Sequence, residues 1–129
     1  MRYVSLAEAI NIGEFVTGID AHTLASVSRI EILDSALHAP QAGIGDQDFY
    51  PDFHVKAAVL CSRIALNHPL PDGNKRLAWT CLVLFCDLNG YDLNPQTADA
   101  VQTIVKVAAG ELSEMELADW INARAIRRS

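Results

Sequence analysis

Cysteine, positive charge and long apolar runs are all scarce in this 129-residue sequence. The three cysteines, Cys61, Cys81 and Cys86, form no C-x-x-C pair and lie in apolar segments. They are therefore typical of reduced core residues, and not of a disulfide framework or a zinc site. No segment reaches the roughly 18 uninterrupted apolar residues of a membrane-spanning helix, and the N-terminal stretch lacks the apolar core of a signal peptide. We expect a cytoplasmic protein without a membrane partner.

The balance of charge is acidic, with 10 lysines and arginines against 16 aspartates and glutamates and a formal net charge of −6. This is the wrong sign for attraction to a phosphate backbone, so direct binding of nucleic acid is disfavoured. We expect Arg124, Arg127 and Arg128 to complement the negative end of a last helix. With 50% hydrophobic residues over this length, residues 1–129 are expected to form a single domain.

Helical periodicity dominates, and strand-like alternation is confined to residues 40–54, so the predicted class is all-α. Ser5 with Glu8, and Ser113 with Glu116, are capping-box signatures of two helix starts. About six helices are predicted: from Leu6 to about Gly18, from Asp20–Thr23 to just before Pro40, from Phe53 to Asn67 or His68, from Asn74 to Asn89–Gly90, from Thr97 to Gly110, and from Ser113 to the C-terminal arginines.

Two of these segments stand out. The helix after Asn74 is almost wholly apolar from Leu77 to Phe85, which predicts a buried helix at the centre of the domain. Residues 40–54 contain two prolines and two glycines, which predicts a loop with a short extended piece or hairpin. Loops of this length in small domains are usually functional or mobile.

The stretch "HPLPDGNKR", residues 68–76, joins two apolar helices and places two cations at the start of the second one. Lys75 and Arg76 lie at the positive end of the helix dipole, where each costs roughly 0.3–1 kcal/mol. Such a cost predicts an anionic partner. The unpaired backbone amides of Gly73, Asn74, Lys75 and Arg76 at a helix N-terminus are suited to binding phosphate.

The same loop offers two further groups. Asp72 is a candidate ligand for Mg²⁺, which commonly binds through one or two carboxylates and substrate phosphates. His68 is the one side chain of this loop that is able to act as a base near pH 7. Pro69 and Pro71 stiffen the loop and so keep the groups in a fixed relationship. Together they suggest phosphoryl or nucleotidyl transfer.

A purely structural interpretation has equal weight on spacing alone. "PDG" is an ordinary turn signal, Asp72 or Asn74 is a plausible N-cap, and His68 a plausible C-terminal cap of the preceding helix. The loop lacks the Walker pattern, and His22, His38 and His54 are too scattered for a hydrolytic metal site.

The stretch closely resembles the signature of the Fic/Doc superfamily, and of its Doc (death-on-curing) branch, roughly H-x-F-x-D-x-N-K-R. The resemblance extends from "ILDSALHAPQAG" through "LFCDLNGYDL", over most of the chain. It implies the all-helical Fic fold. It also implies that His68 takes the proton of a target hydroxyl, that Asp72 holds Mg²⁺, and that the phosphates of a nucleotide are held by Gly73, Asn74, Lys75 and Arg76.

Three positions depart from the family patterns. Leu70 replaces the usual phenylalanine that anchors the loop, so we expect the loop to be held less tightly. In the pattern of adenylyl-transferring Fic proteins, H-P-F-x-x-G-N-G-R-x-x-R, Lys75 stands in place of the second glycine and Trp79 in place of the second arginine. Both differences favour presenting the γ-phosphate of ATP, as in the Doc branch, and not the α-phosphate.

The resemblance therefore implies a Doc-type kinase toxin, which uses ATP and Mg²⁺ to phosphorylate a protein hydroxyl and halt translation. The implied target is elongation factor Tu. The implied partner is a Phd-like antitoxin whose disordered tail folds as a helix on the toxin, with residues 39–54 as a flap that positions the target. Transfer of AMP, and an inactive Fic-fold binding module, are the alternatives.

Overall fold

The computed structural model describes residues 1–129, and helices account for most of the chain. The α-helices are α1 (Leu6–Thr17), α2 (Ala21–Val27), α3 (Ile30–His38), α4 (Phe53–Asn67), α5 (Asn74–Leu88), α6 (Thr97–Ala108) and α7 (Glu114–Arg124). A single turn of 3-10 helix covers Ala39–Gln41, and the strands are β1 (Gly43–Ile44), β2 (Gln47–Asp48), β3 (Tyr91–Asp92) and β4 (Ile126–Arg127). The all-α class is confirmed.

Local signals account for several helix ends. Ser5 and Glu8 form the predicted capping box of α1, with hydrogen bonds of 2.9 and 3.1 Å. Ser113 and Glu116 do the same for α7, with bonds of 3.0 and 3.1 Å. Each pair satisfies two backbone N–H groups that a helix start leaves unpaired. The predictions of these two helix starts are confirmed.

The single helix predicted between Asp20 and Pro40 is wrong, because the chain breaks it into α2 and α3. Ser28 is extended, at φ −94° and ψ 160°, and caps α2 by donating its backbone N–H to Leu24 O. The backbone N–H of Arg29 donates to Pro69 O over 2.8 Å, which no helical residue at this position could do. This long-range hydrogen bond replaces a helical one, and it explains why there are seven helices instead of about six.

The core is centred on α4 and α5, which pack against each other. Nine residues of α4 are buried, and it also lies against α3, α6 and α7. In α5 the side chains of Leu77, Cys81, Leu82, Phe85 and Cys86 have no exposed surface, as expected for a helix with little polar face. Burying a side chain such as Phe85 fully, compared with leaving it exposed, stabilises the folded protein by about 1.5–3 kcal/mol. The predicted buried helix after Asn74 is confirmed.

Of the two small sheets, one was predicted from the sequence and the other was not. Strands β1 and β2 form the expected hairpin within residues 40–54, with Ile44 opposite Gln47. Strands β3 and β4 form an unpredicted antiparallel pair, with Tyr91 opposite Arg127. The last helix, expected to continue into the arginines, ends at Arg124 because the following residues are extended and pair with β3.

The C-terminal arginines act mainly between elements, and not at the end of the last helix as expected. Arg124 Nε donates to Asp99 Oδ2 over 2.6 Å, which joins α7 to α6, and its Nη1 also donates to Trp120 O, the one contact of the expected kind. Arg128 Nη1 donates to Asp87 and to Asp92. Acidic residues that are distant in sequence therefore determine these contacts.

No helix of the structure is both long enough and apolar enough to cross a bilayer.

Candidate active site

The loop between α4 and α5 has an unusual backbone at each end. His68 directly follows α4 and is left-handed, with φ 48° and ψ 61°, and it is the one non-glycine residue with positive φ. Gly73 directly precedes α5 and is also left-handed, with φ 78°. The left-handed region is costly for a residue with a side chain. The surroundings of His68 must therefore supply contacts that maintain its conformation.

All six residues predicted to form the site line one cleft of about 400 Å³. They are His68, Asp72, Gly73, Asn74, Lys75 and Arg76. The structure therefore brings these residues together, while their roles stay predictions. The remaining histidines, His22, His38 and His54, do not line this cleft.

Two side chains hold the loop in place. Asn74 accepts a hydrogen bond from Leu70 N and donates one to Leu70 O, both over 2.9 Å. Leu70 is 4% exposed and belongs to the hydrophobic core. Leucine therefore still anchors the loop by burial. The side-chain amide of Asn74 is engaged with the backbone, so Asn74 can offer a phosphate its backbone N–H but not a free amide.

Gly73 is packed against the end of α1. A Cβ atom at this position would lie 3.3 Å from Thr17 Cγ2 and 3.6 Å from Val16 Cγ2. Both the positive φ and the close approach of α1 favour glycine here. The cleft is thus formed by α1 as well as by the loop, which local sequence did not indicate.

The start of α5 presents positive charge that no carboxylate of the protein neutralises. Lys75 and Arg76 are exposed and form no salt bridge, although Arg76 Nη1 donates to Val16 O over 3.2 Å. The backbone N–H groups of Gly73, Asn74, Lys75 and Arg76 donate no hydrogen bond within the protein. A phosphate group would satisfy the amides and the cations together.

Asp72 is exposed, and its carboxylate makes no hydrogen bond or salt bridge. No group of three or more histidine, cysteine, aspartate or glutamate residues in the structure could hold a metal ion. A lone carboxylate beside an anion-binding helix start therefore fits Mg²⁺ that is coordinated mainly by phosphate oxygens, and not an ion held in a protein cage.

Arg29 is the residue of this region that sequence reasoning missed. Its Nη2 donates to Asn67 O over 2.5 Å and to His68 O over 2.6 Å. Its backbone N–H donates to Pro69 O, so Arg29 contacts three successive carbonyls beside His68. No local signal pointed to it, because Arg29 is 39 residues from His68 in sequence.

A second, more apolar groove of about 660 Å³ adjoins the cleft and shares Lys75 and Arg76 with it. Phe15 of α1, which is 85% exposed, lines it together with Val101 of α6. Trp79 also lines the groove, and its ring packs edge-on against Trp120, with centroids 6.2 Å apart. We call this surface, between α1, α5 and α6, the apolar groove.

The fold and site define an all-α protein with an anion-attracting loop between two buried helices and an exposed histidine at the start of that loop. A sequence profile of the Fic/DOC family matches residues 4–86, which include the whole loop. The chain belongs to the Fic/DOC family, and its architecture is the all-α Fic fold.

A relative gives the same result. "Toxin Doc" of Mycolicibacterium smegmatis (strain ATCC 700084 / mc(2)155) is 45% identical over 62 residues. The matched segment is 48% of this chain and 48% of the relative, so the likeness spans about half the length of each protein. The resemblance to the Doc branch is therefore confirmed over that segment.

Proposed function

We propose that this protein is a Doc-like toxin that transfers the γ-phosphoryl group of ATP to a hydroxyl of a target protein. The observation that carries the proposal is the shared cleft. It combines an exposed histidine, a free carboxylate, four unpaired backbone N–H groups and two cations without acidic partners. These are the groups that phosphoryl transfer requires for positioning and for stabilising charge.

In the proposed reaction, His68 accepts the proton of the acceptor hydroxyl, whose oxygen forms a bond to the γ-phosphorus. The bond from that phosphorus to the bridging oxygen breaks, and ADP leaves. Lys75, Arg76 and the N–H groups at the start of α5 bind the phosphates. Asp72 would hold Mg²⁺, which neutralises phosphate charge when bound. No covalent intermediate with the protein is needed.

Two residues favour phosphoryl transfer over AMP transfer. Lys75 adds a point charge and bulk at the position where the adenylylating pattern has its second glycine. Trp79 occupies the position of that pattern's second arginine, and its uncharged indole, which packs against Trp120, provides no cation. Compared with an adenylylating protein, this chain therefore lacks one side chain that would bind the phosphates of the nucleotide.

The proposal includes two partners. An apolar groove with exposed Phe15 and Val101, beside the cations of the site, suits the apolar face of a helix from a Phd-like antitoxin. The β1–β2 hairpin is exposed along both strands, and an exposed edge can pair with an extended target segment. Elongation factor Tu in the bacterial cytoplasm is the proposed target.

Labelled ATP tests the reaction and the target together. A bacterial lysate is incubated with the purified protein and with ATP labelled at either the α or the γ position. We expect one protein to take up the γ label. Uptake of the α label would instead indicate AMP transfer, and uptake of neither label would favour an inactive binding module.

His68→Asn is the matched variant, because asparagine tolerates the left-handed backbone but cannot act as a base. We expect it to abolish labelling and growth arrest on expression in bacteria, with the melting temperature nearly unchanged. A toxic His68→Asn variant of normal stability would contradict the assigned role.

Asp72→Asn tests the metal assignment. We expect it to weaken the rise in melting temperature that ATP causes in the presence of Mg²⁺, because the amide is a poorer magnesium ligand than the carboxylate. With Mg²⁺ removed by a chelator, the variant and the original protein should respond alike. An equal response with Mg²⁺ present would show that Asp72 does not hold the metal.

A further inference from the structure

The backbone around His68 is held from outside the loop by Arg29. Three successive carbonyls, those of Asn67, His68 and Pro69, accept hydrogen bonds from Arg29, two from its side chain and one from its backbone N–H. The chain extends Ser28 and interrupts the helix between α2 and α3 to make these bonds possible. Arg29 forms no salt bridge, so carbonyls are the partners of its guanidinium.

Part of this arrangement is an ordinary helix cap. The last carbonyls of a helix lack partners within it, and a cation near them is favourable. The contact with Asn67 O, at the last residue of α4, needs no other explanation. The bonds to His68 O and Pro69 O lie beyond the helix, where the backbone has already turned, and a cap does not require them.

These two hydrogen bonds are made to the carbonyl of His68, the left-handed residue, and to the carbonyl of the residue that follows it. Such a conformation persists only where the surroundings determine it from several directions. Arg29 holds the carbonyls of His68 and Pro69, and Asn74 holds both backbone groups of Leu70. The φ and ψ angles of His68 fix the direction of its Cα–Cβ bond, so the two residues together determine the point and direction from which the imidazole leaves the backbone.

Arg29 lines a different cleft from the phosphate-binding groups. A cleft of about 560 Å³ is lined by Arg29, Glu31, Ser35 and His68, among others. His68 therefore borders two clefts, and only the other one contains Asp72, Lys75 and Arg76. A change at Arg29 can move the histidine without touching the residues proposed to bind the nucleotide.

We infer that Arg29 is a positioning residue that holds the backbone of His68 in the conformation from which its imidazole reaches the acceptor hydroxyl. The inference rests on the proposed function. It separates two properties of the site: Arg29 acts on the rate of transfer, whereas residues 72–76 act on nucleotide binding. A displacement of about 1 Å in a catalytic group can lower a rate by about 100-fold.

The test compares Arg29→Ala and Arg29→Lys with Arg128→Ala in the full chain. Arg128 is a matched control, because its Nη2 also donates to a carbonyl in the last turn of a helix, that of Asp87 in α5. The rate of γ-phosphate transfer to the protein labelled in the lysate and the KM for ATP are measured. The backbone carbon chemical shifts of His68 report its conformation by NMR.

For Arg29→Ala we expect kcat to fall about 10- to 100-fold while the KM for ATP changes less than about twofold. The His68 shifts should leave their left-handed values. Arg29→Lys should recover little, since the ammonium nitrogen lies closer to the backbone than Nη2, the single nitrogen that donates to both carbonyls, and is not held in a rigid plane. Arg128→Ala should lose about as much stability as Arg29→Ala, but its kcat and its His68 chemical shifts should stay unchanged.

Unchanged kcat in Arg29→Ala, or a lower kcat with unchanged His68 shifts, would overturn the inference. If the unmodified protein transfers no label, the proposed function fails, and the chemical shifts still decide whether Arg29 determines the conformation of His68. Unchanged shifts in Arg29→Ala would overturn the inference in that case too.

Discussion

Asn74 shows how one side chain can serve the site by holding its backbone. Both polar atoms of its amide are bonded to Leu70, so the loop from His68 to Gly73 is closed by one side chain at the start of α5. Leu70 is buried at the same point. The loop therefore has a polar anchor and an apolar anchor, both supplied by the chain itself.

Asn74→Ala should destabilise the protein, because it leaves the N–H and the C=O of Leu70 without partners. We expect a loss of about 1–2 kcal/mol in the free energy of unfolding. Asn94→Ala is the control, since Asn94 is exposed and its side chain makes no hydrogen bond. Urea unfolding of both variants measures the difference. Equal stability of the two would show that the Asn74 contacts contribute nothing.

Among the elements, the β1–β2 hairpin depends on a buried lysine of α4. Lys56 is 2% exposed, and its Nζ donates to Pro40 O over 2.9 Å and to Asp48 Oδ2 over 3.1 Å. The ring of Tyr3 lies 5.7 Å from the same Nζ. A buried ammonium group needs such partners. The lysine therefore ties strand β2 of the hairpin, and the 3-10 turn that precedes β1, to the core.

Asp48→Ala should destabilise the protein by about 1–3 kcal/mol, because it removes the one charged partner of a buried cation. It should also speed proteolysis between residues 42 and 50. Asp46→Ala, in the turn of the same hairpin, is the matched control, because Asp46 is exposed and forms no ion pair. If Asp48→Ala and Asp46→Ala unfold at the same urea concentration, the tie between hairpin and core is unimportant.

At the scale of the whole molecule, the three thiols report on the integrity of the α4–α5 core. Cys61, Cys81 and Cys86 are free and buried. Burial raises the pKa of Cys81 and of Cys86 to about 12, and it raises the pKa of Cys61 as well. The thiolate is the reactive form, and at pH 8 almost none of it is present. The reduced core residues predicted from the sequence are thus confirmed as free thiols.

We expect the folded protein to leave Ellman's reagent unreacted at pH 8, and the protein unfolded in guanidinium chloride to react with three equivalents. Ser129→Cys is a positive control, because its added thiol is exposed and should react at once in the folded state. Rapid reaction of the native thiols would show that the core opens far more often than this packing allows.

The failed predictions share one cause. The break at Ser28–Arg29 arises from a hydrogen bond to Pro69, and the end of α7 arises from pairing of β4 with β3. The C-terminal arginines contact aspartates on α5, β3 and α6. Each of these depends on a residue distant in sequence, and periodicity and capping patterns describe only neighbouring residues.

Short-range patterns were sufficient for the all-α class, for both capping boxes, for the limits of α4 and for the group of six residues in the cleft. Backbone geometry and side-chain burial repeat within a few residues, so these properties are visible in the sequence. The packed chain was needed to bring Arg29 onto the carbonyls beside His68, Val16 and Thr17 against Gly73, and Asp48 onto Lys56. Contacts between distant segments form only when the core has brought them together, and that is why the supports of the site, unlike its candidate chemical groups, could not be read from the sequence.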